Sequence, residues 1–249
     1  MIQLVLITGS SGRLGRAAVA GLQHAGHRVR GFDRVASPDF ADTVLGDLGD
    51  RTALDRAMKG VDCLIHLAAC PDDADFLVEL LPANITGLYH VMESARAAGV
   101  RRIVLASSGQ VNWWQQLRGP APIKPEDPPS PRYWYAATKM FLESIGRGFS
   151  EIHGMSVIIA RLGWCPRTLE QVAEIASSPW QQGLYLSPGD AGRFFACCVS
   201  ARSDLRHAIV YAVSKPLGVV PFDLGSAKTL LGYEPMESWP TGSDPTHRG

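Results

Sequence analysis

Over roughly the first 160 residues, short apolar runs alternate with longer stretches of helical period. The runs Leu4–Ile7, Arg28–Phe32, Thr43–Leu45, Val61–Leu67, Arg102–Ala106 and Ser156–Ala160 are mostly continuous in apolar character, as strands covered on both faces are. Between them the spacing predicts helices over Leu14–Ala25, Arg51–Met58, Phe76–Ala98 and Tyr135–His153, with Gly26 and Gly99 where helix C-caps belong. Such alternation, joined by right-handed crossovers, predicts an α/β fold with a doubly wound parallel sheet. Past Gly163 the pattern breaks up under Pro166, Pro179, Pro188, Pro216 and Pro221. Residues 1–162 are therefore expected to form the core and 163–235 a small C-terminal cap of loops and helices. Residues 236–249, rich in Pro, Ser, Gly and Thr, are expected to be a mobile tail.

Composition narrows the function classes. A 46% hydrophobic content supports a full core, and 24 basic against 24 acidic side chains leave no excess of the kind a nucleic-acid surface needs. No run of about 18 apolar residues suggests a membrane span, and Met1-Ile2-Gln3 leads directly into a strand pattern without a secretory signal. The five cysteines (Cys63, Cys70, Cys165, Cys197, Cys198) lack CxxC spacing. Reduced thiols, a cytoplasmic location and no metal site are the expectations.

The segment Thr8-Gly9-Ser10-Ser11-Gly12-Arg13-Leu14-Gly15 follows the first strand and opens the first helix. Glycines in that context let backbone approach a pyrophosphate held at a helix N-terminus, so Gly9, Ser11, Gly12, Arg13, Leu14 and Gly15 are candidate dinucleotide contacts. Asp33, at the end of the second strand, is placed to accept from both adenosine ribose hydroxyls and to repel a 2′-phosphate, which favours NAD. Arg13 or Arg34 could instead meet such a phosphate. Asp47-Leu48 offers a side-chain contact and an amide to adenine, although Asp47 could equally serve as a helix N-cap.

Tyr135-Ala136-Ala137-Thr138-Lys139 places a phenol and an ammonium on one helix face. An ammonium near a phenol pulls the phenol pKa down from about 10, so Tyr135 could exchange a proton with a substrate hydroxyl. Ser107-Ser108 ends the preceding strand, on the side of a parallel sheet where ligands bind, and Ser108 is placed to donate to a developing oxyanion.

Gly9–Gly15, Asp33, Asp47-Leu48, His66-Leu67-Ala68-Ala69, Asn84-Ile85-Thr86-Gly87, Ser107-Ser108 and Tyr135–Lys139 occur in the order of the short-chain dehydrogenase/reductase superfamily, whose core is a Rossmann fold. They most resemble its extended, NAD-dependent epimerase/dehydratase branch, over residues 2 to about 235. The resemblance implies a catalytic group of Ser108, Tyr135, Lys139 and Asn84, the last holding a water behind Lys139. It also adds Leu67, Ala68 and Ala69 to the cofactor contacts, with Tyr135 and Lys139 on the nicotinamide ribose. Within the branch, Asn84–Ser108, Tyr135–Glu143 and Arg161–Pro166 look most like uronate dehydrogenases, which oxidise the C1 hydroxyl of a hexuronate with NAD. Two departures stand out: Gly109-Gln110 replaces Asn-His after the serine, and Trp164 replaces a serine.

The expected activity is thus NAD-dependent oxidation of a hemiacetal or secondary hydroxyl on a small sugar or sugar acid. A sugar-nucleotide epimerase or dehydratase with retained NAD, and a non-catalytic dinucleotide sensor, are the alternatives. Candidate substrate residues are Ser108, Gln110, Trp113, Trp164 and Arg167. The indoles are placed either to stack on substrate or to pack their loops, and Arg167 either to bind a carboxylate or to sit in solvent. His66 reads as a satisfied core histidine. Apolar positions Leu80, Leu81, Leu88, Met140, Phe141 and Ile145 suggest pairing of the two long helices in a homodimer, as the resemblance implies.

Overall fold

The computed structural model describes residues 2–37, 40 and 42–246. Strands β1 (Leu4–Thr8), β2 (Arg28–Asp33), β3 (Thr43–Leu45), β4 (Cys63–His66), β5 (Arg102–Ser108), β6 (Ser156–Leu162) and β7 (His207–Ala212) form one parallel sheet ordered β3-β2-β1-β4-β5-β6-β7. The order reverses between β1 and β4, so a crevice opens beyond their carboxyl ends.

Alternation along each strand builds two apolar layers. Val5 and Ile7 of β1 face one layer with Ile65, Val104, Ile158 and Val210, and Leu6 faces the other with Leu64, Ile103, Leu105 and Ile159. Helices α1 (Arg13–His24), α8 (Pro188–Ser200) and α9 (Gly225–Leu231) cover the first layer. The second lies under α2 (Arg51–Ala57), α3 (Gly87–Ala97) and α5 (Trp134–His153). The short helices α4 (Trp113–Arg118), α6 (Leu169–Ala176) and α7 (Pro179–Gly183) sit on connections after β5 and β6.

Three features depart from the sequence reading. The long helix expected over Phe76–Ala98 is a wide-turn helix at Phe76–Thr86 that continues as α3. Pro82 lies inside the wide part, and the Gly87 N–H reaches back five residues to the Pro82 carbonyl. That wider spacing accommodates an interior proline that an α-helix would resist.

Residues 163–235 are not only a cap: they supply β7 and two of the helices over the first layer, α8 and α9. Helices α1 and α8 cross backbone to backbone, since a Cβ on Gly21 would lie 2.4 Å from the carbonyl of Gly192. The Arg206-His207 start hides β7 in the sequence, although Ile209, Val210 and Tyr211 follow.

The segment expected to be a mobile tail is packed as far as Asp244. Buried Asp190 accepts from the amides of Met236 (2.8 Å) and Glu237 (3.0 Å), Trp239 stands edge-on to Tyr185, and the Tyr185 hydroxyl donates to Thr241 O. Its polar composition satisfies backbone groups here instead of signalling disorder. Residues 247–249 lie outside the described residues.

Candidate active site

At the end of β1 the chain turns through Gly9 at φ +74°, where a Cβ would lie 2.7 Å from Ala68 N. A Cβ on Gly15 would lie 2.1 Å from Gly9 O, so the first turn of α1 rests directly on the loop. Gly12 caps α1 without a side-chain hydrogen bond, and no acidic residue occupies its first turn. The amides there are thus open to an anion, which the helix dipole favours. Ser10 Oγ is buried without a partner among the described residues. At the end of β2, Asp33 accepts from Ser11 N (2.9 Å) and Val35 N (3.3 Å), holding its carboxylate beside the glycine loop. This cradle fits a dinucleotide.

Among the remaining cofactor candidates there is one reassignment. Leu67 N donates to Thr8 O and Ala68 N to Thr8 Oγ1, tying the loop after β4, which continues through Ala69, to β1. Leu48 is buried beneath Gly87. Asp47 is exposed and accepts from Gly49 N, whereas the N-cap of α2 is Asp50, whose carboxylate reaches Ala53 N at the cap position. Arg13 donates to Gly242 O (2.7 Å) and Asp244 O (3.1 Å), and Arg34 is exposed.

Helix α5 delivers Tyr135, Lys139 and Glu143 on its buried face, and Gly146 lets that face approach Leu105 and Ile159 closely. The helix has no side-chain cap of its own at Tyr133; instead Asp73, from the loop after β4, accepts from Tyr135 N at 3.1 Å. Ser108, at the end of β5, lies near enough to the Tyr135 phenol to act on it, and its Oγ accepts from Gln110 N at 3.1 Å. Ser108 and Tyr135 thus lie at the same end of the sheet, at the close of β5 and the start of α5.

The electrostatics differ from that reading. Burial pushes the Tyr135 phenol up to about 12, opposed by the nearby Ser108 hydroxyl; Asp72 adds to the rise and Arg167 opposes it. Lys139 Nζ donates to Ala106 O at 2.8 Å and lies 5.5 Å from the Tyr135 ring centroid; burial brings its own pKa down to about 8. The expected lowering of the phenol by Lys139 is thus absent from the protein alone: Lys139 is not among the groups that act on it, and desolvation sets the direction.

Asn84 is buried, but its amide is committed to protein. Its oxygen accepts from Cys70 N (2.8 Å), and its nitrogen donates to Cys70 O (3.1 Å) and Thr138 Oγ1 (3.0 Å). It clamps the loop after β4 onto α5, a role the sequence reading did not contain. His66 is a buried partner of Thr8 Oγ1 at 2.8 Å, as expected of a core histidine, and burial holds it down at about 3.

Behind the site runs a network that the sequence reading missed. Glu143 pairs with Arg161 through two 2.9 Å contacts and accepts from Ser107 Oγ at 2.6 Å. Arg161 also donates to Asn112 Oδ1 (2.9 Å) and Pro125 O (3.1 Å), while the Tyr211 hydroxyl donates to Asn112 Oδ1 (2.7 Å). The signal was present: Glu143 continues the Tyr135–Lys139 spacing by four residues, and Arg161 interrupts an apolar strand.

The substrate candidates ring the same end of the sheet. Trp113 stands edge-on to Tyr133 at 5.6 Å, with Arg132 4.6 Å from the Tyr133 ring, and its Nε1 is buried without a partner among the described residues. Trp164 is bridged through its backbone to the segment around Tyr185. Arg167 forms an ion pair with Asp72 across the mouth, so it is not a free surface charge.

The NAD dependent epimerase/dehydratase family matches residues 5–164 of this chain. An L-arabinose 1-dehydrogenase (NAD(P)(+)) from Haloferax volcanii is 30% identical over 203 residues, 75% of this chain and 78% of that protein. An NAD-dependent glucose-6-phosphate dehydrogenase from the same organism is also 30% identical, over 256 residues covering 96% of this chain and 95% of the relative. The structure of a uronate dehydrogenase from Agrobacterium tumefaciens, a Y136A mutant complexed with NAD, superposes with a TM-score of 0.78 at 25% identity, covering 95% of this chain and 86% of that one. With more than half of its length matched and the glycine cradle in place, the chain belongs to the NAD-dependent epimerase/dehydratase family of the extended short-chain dehydrogenases, and NAD is its cofactor.

Proposed function

We propose that the protein oxidises the C1 hydroxyl of a cyclic sugar or sugar acid to the lactone. The observation that carries this reading is that α5 sets its buried face, with Tyr135 and Lys139, against the end of β5, where Lys139 Nζ holds Ala106 O two residues from Ser108. NAD supplies the hydride acceptor; Gly9–Gly15 and Asp33 hold its pyrophosphate and ribose, and Lys139 its nicotinamide ribose. Ser108 orients the substrate oxygen, and Tyr135 takes its proton as general base. Asn84 supports this group by fixing the loop at Cys70. Gln110, Trp113, Trp164 and Arg167 shape the substrate side. A panel of aldoses, hexuronates and aromatic alcohols with NAD, followed by NADH absorbance, tests the reading; turnover only of aromatic alcohols would reject it.

The proposed assembly is a homodimer. Leu77, Val78, Trp134 and Phe141 are exposed on the wide-turn helix and α5, which supports pairing of these two elements. Leu80 and Leu88 turn into their own core, so they take no part. A monomer mass by light scattering at micromolar concentration would exclude the dimer. All five cysteines are free thiols, which suits the proposed cytoplasmic location.

A further inference from the structure

The loops after β4 and β6 form opposite walls of the mouth, and one charge from each meets over the site: Asp72 and Arg167. Neither belongs to a loose surface strand. The Asp72 loop is pinned on both sides, by Asn84 on Cys70 and by Asp73 on the Tyr135 amide, and the Arg167 amide donates to Gln171 Oε1 at 2.7 Å. Their side chains keep 58% and 34% exposure, so a ligand can reach both. The neighbouring Asp73 accepts from Tyr135 N at 3.1 Å, which keeps the Asp72 loop at the start of the helix that carries the reacting hydroxyl, and both charges act on that phenol in opposite senses.

Two other cations near the site are held by carbonyls, and a third stands over aromatic rings. Lys139 donates to Ala106 O, Arg13 holds the carbonyls of Gly242 and Asp244, and Arg132 lies against Trp113 and Tyr133. A substrate carboxylate that enters between the two loops meets Arg167 there, and must first displace Asp72. It exchanges one carboxylate for another and gains no new ion pair, while the displaced Asp72 repels it. A neutral sugar meets no such penalty, because its hydroxyls can donate to Asp72 and accept from the remaining guanidinium N–H groups.

We infer that the Asp72–Arg167 pair is a charge filter that makes an uncharged aldose, rather than a uronate or a sugar phosphate, the preferred substrate. This rests on the proposed C1 oxidation and specifies its substrate class. The test compares D-galactose with D-galacturonate, matched except for the carboxylate, and D-glucose with glucose 6-phosphate, at neutral pH with NAD. In the parent protein kcat/KM for the neutral sugar exceeds that for its charged counterpart. Asp72→Asn shifts the ratio toward the charged sugar by about tenfold, through KM, as expected when an opposing charge is removed. The double variant Asp72→Asn/Arg167→Gln cancels the shift, and raising the salt concentration narrows it. A parent that prefers the charged sugars, or a ratio unmoved by Asp72→Asn, overturns the filter. If none of these sugars is oxidised, the proposed activity fails, and the filter is read by calorimetric titration of galactose and galacturonate into the protein with NADH. Tighter galacturonate binding in Asp72→Asn supports the filter there, and unchanged or weaker binding overturns it.

Discussion

At the β1–β2 side of the crevice the chain is shaped by backbone against backbone. Gly9 N donates to Phe32 O at 2.8 Å, Leu67 N to Thr8 O at 3.1 Å, and Gly15 leaves no room for a Cβ over Gly9 O. The β5–β6 side is held by side chains that come from far apart in the chain. Arg161 binds Glu143 and Asn112, Asn84 binds Cys70 and Thr138, and Asp72 reaches Arg167. The same end of one sheet thus carries a pocket for an invariant ligand built from peptide groups and a mouth built from replaceable ones. A side-chain-built mouth can change substrate without disturbing the cofactor cradle, and the two should fail differently when altered.

The largest expected effect is on chemistry alone. Tyr135→Phe should lower kcat by about 10²–10⁴, the usual worth of a general base, while calorimetry finds NADH affinity little changed. A variant as fast as the parent would remove Tyr135 from the centre. The pH profile sharpens this point. Burial holds the phenol up at about 12, and only the phenolate accepts a proton, so kcat/KM should climb with pH above neutrality. It should bend near pH 8, where Lys139 loses its charge, and the climb should be absent in Tyr135→Phe.

Next comes the network behind the mouth. Glu143→Gln leaves Arg161 buried without its counter-charge, which typically costs about 3–5 kcal/mol; urea unfolding measures it. A loss below about 1 kcal/mol would mean that the mouth does not depend on this pair. In the cradle, Gly15→Ala should cost about 1–3 kcal/mol through overpacking and weaken NAD binding in the same titration. Stability lost with NAD affinity intact would separate the glycine from the ligand. The smallest effect concerns Asp33, whose carboxylate should favour NAD over NADP by at least about tenfold, ~1.4 kcal/mol; equal affinities would overturn that role.

The division between the two sides also explains what could be read from the residues in order. Gly9–Gly15, Asp33 and the YxxxK spacing are local patterns, and the six strands before residue 163 announce themselves as apolar runs, so the cradle and most of the sheet were legible. Asn84 was legible as an important position but not as the clamp on Cys70, because its partners lie 14 and 54 residues away. Asp72, Asp73 and Asn112 read as ordinary loop residues until the fold brings Arg167, Tyr135 and Arg161 to them. β7 escaped because Arg206 precedes it, His207 opens it and Pro216 follows closely. The Tyr135 pKa could not be read from spacing at all: burial, which sequence distance does not encode, sets its direction.

The crossing of α1 and α8 at Gly21 and Gly192 bears on how the molecule assembles in time. The two helices cover one face of β1 together, yet most of the polypeptide separates them. Burying that face therefore requires closing a very long loop, so non-local contacts delay completion of this layer. The opposite layer, under α2, α3 and α5, draws on residues before 163 and can form earlier. During synthesis the glycine cradle at the start of α1 then waits for the late-emerging α8 to support its helix. A bulkier residue at Gly192 should accordingly trap chains with one face of the sheet uncovered, and such chains are prone to aggregate.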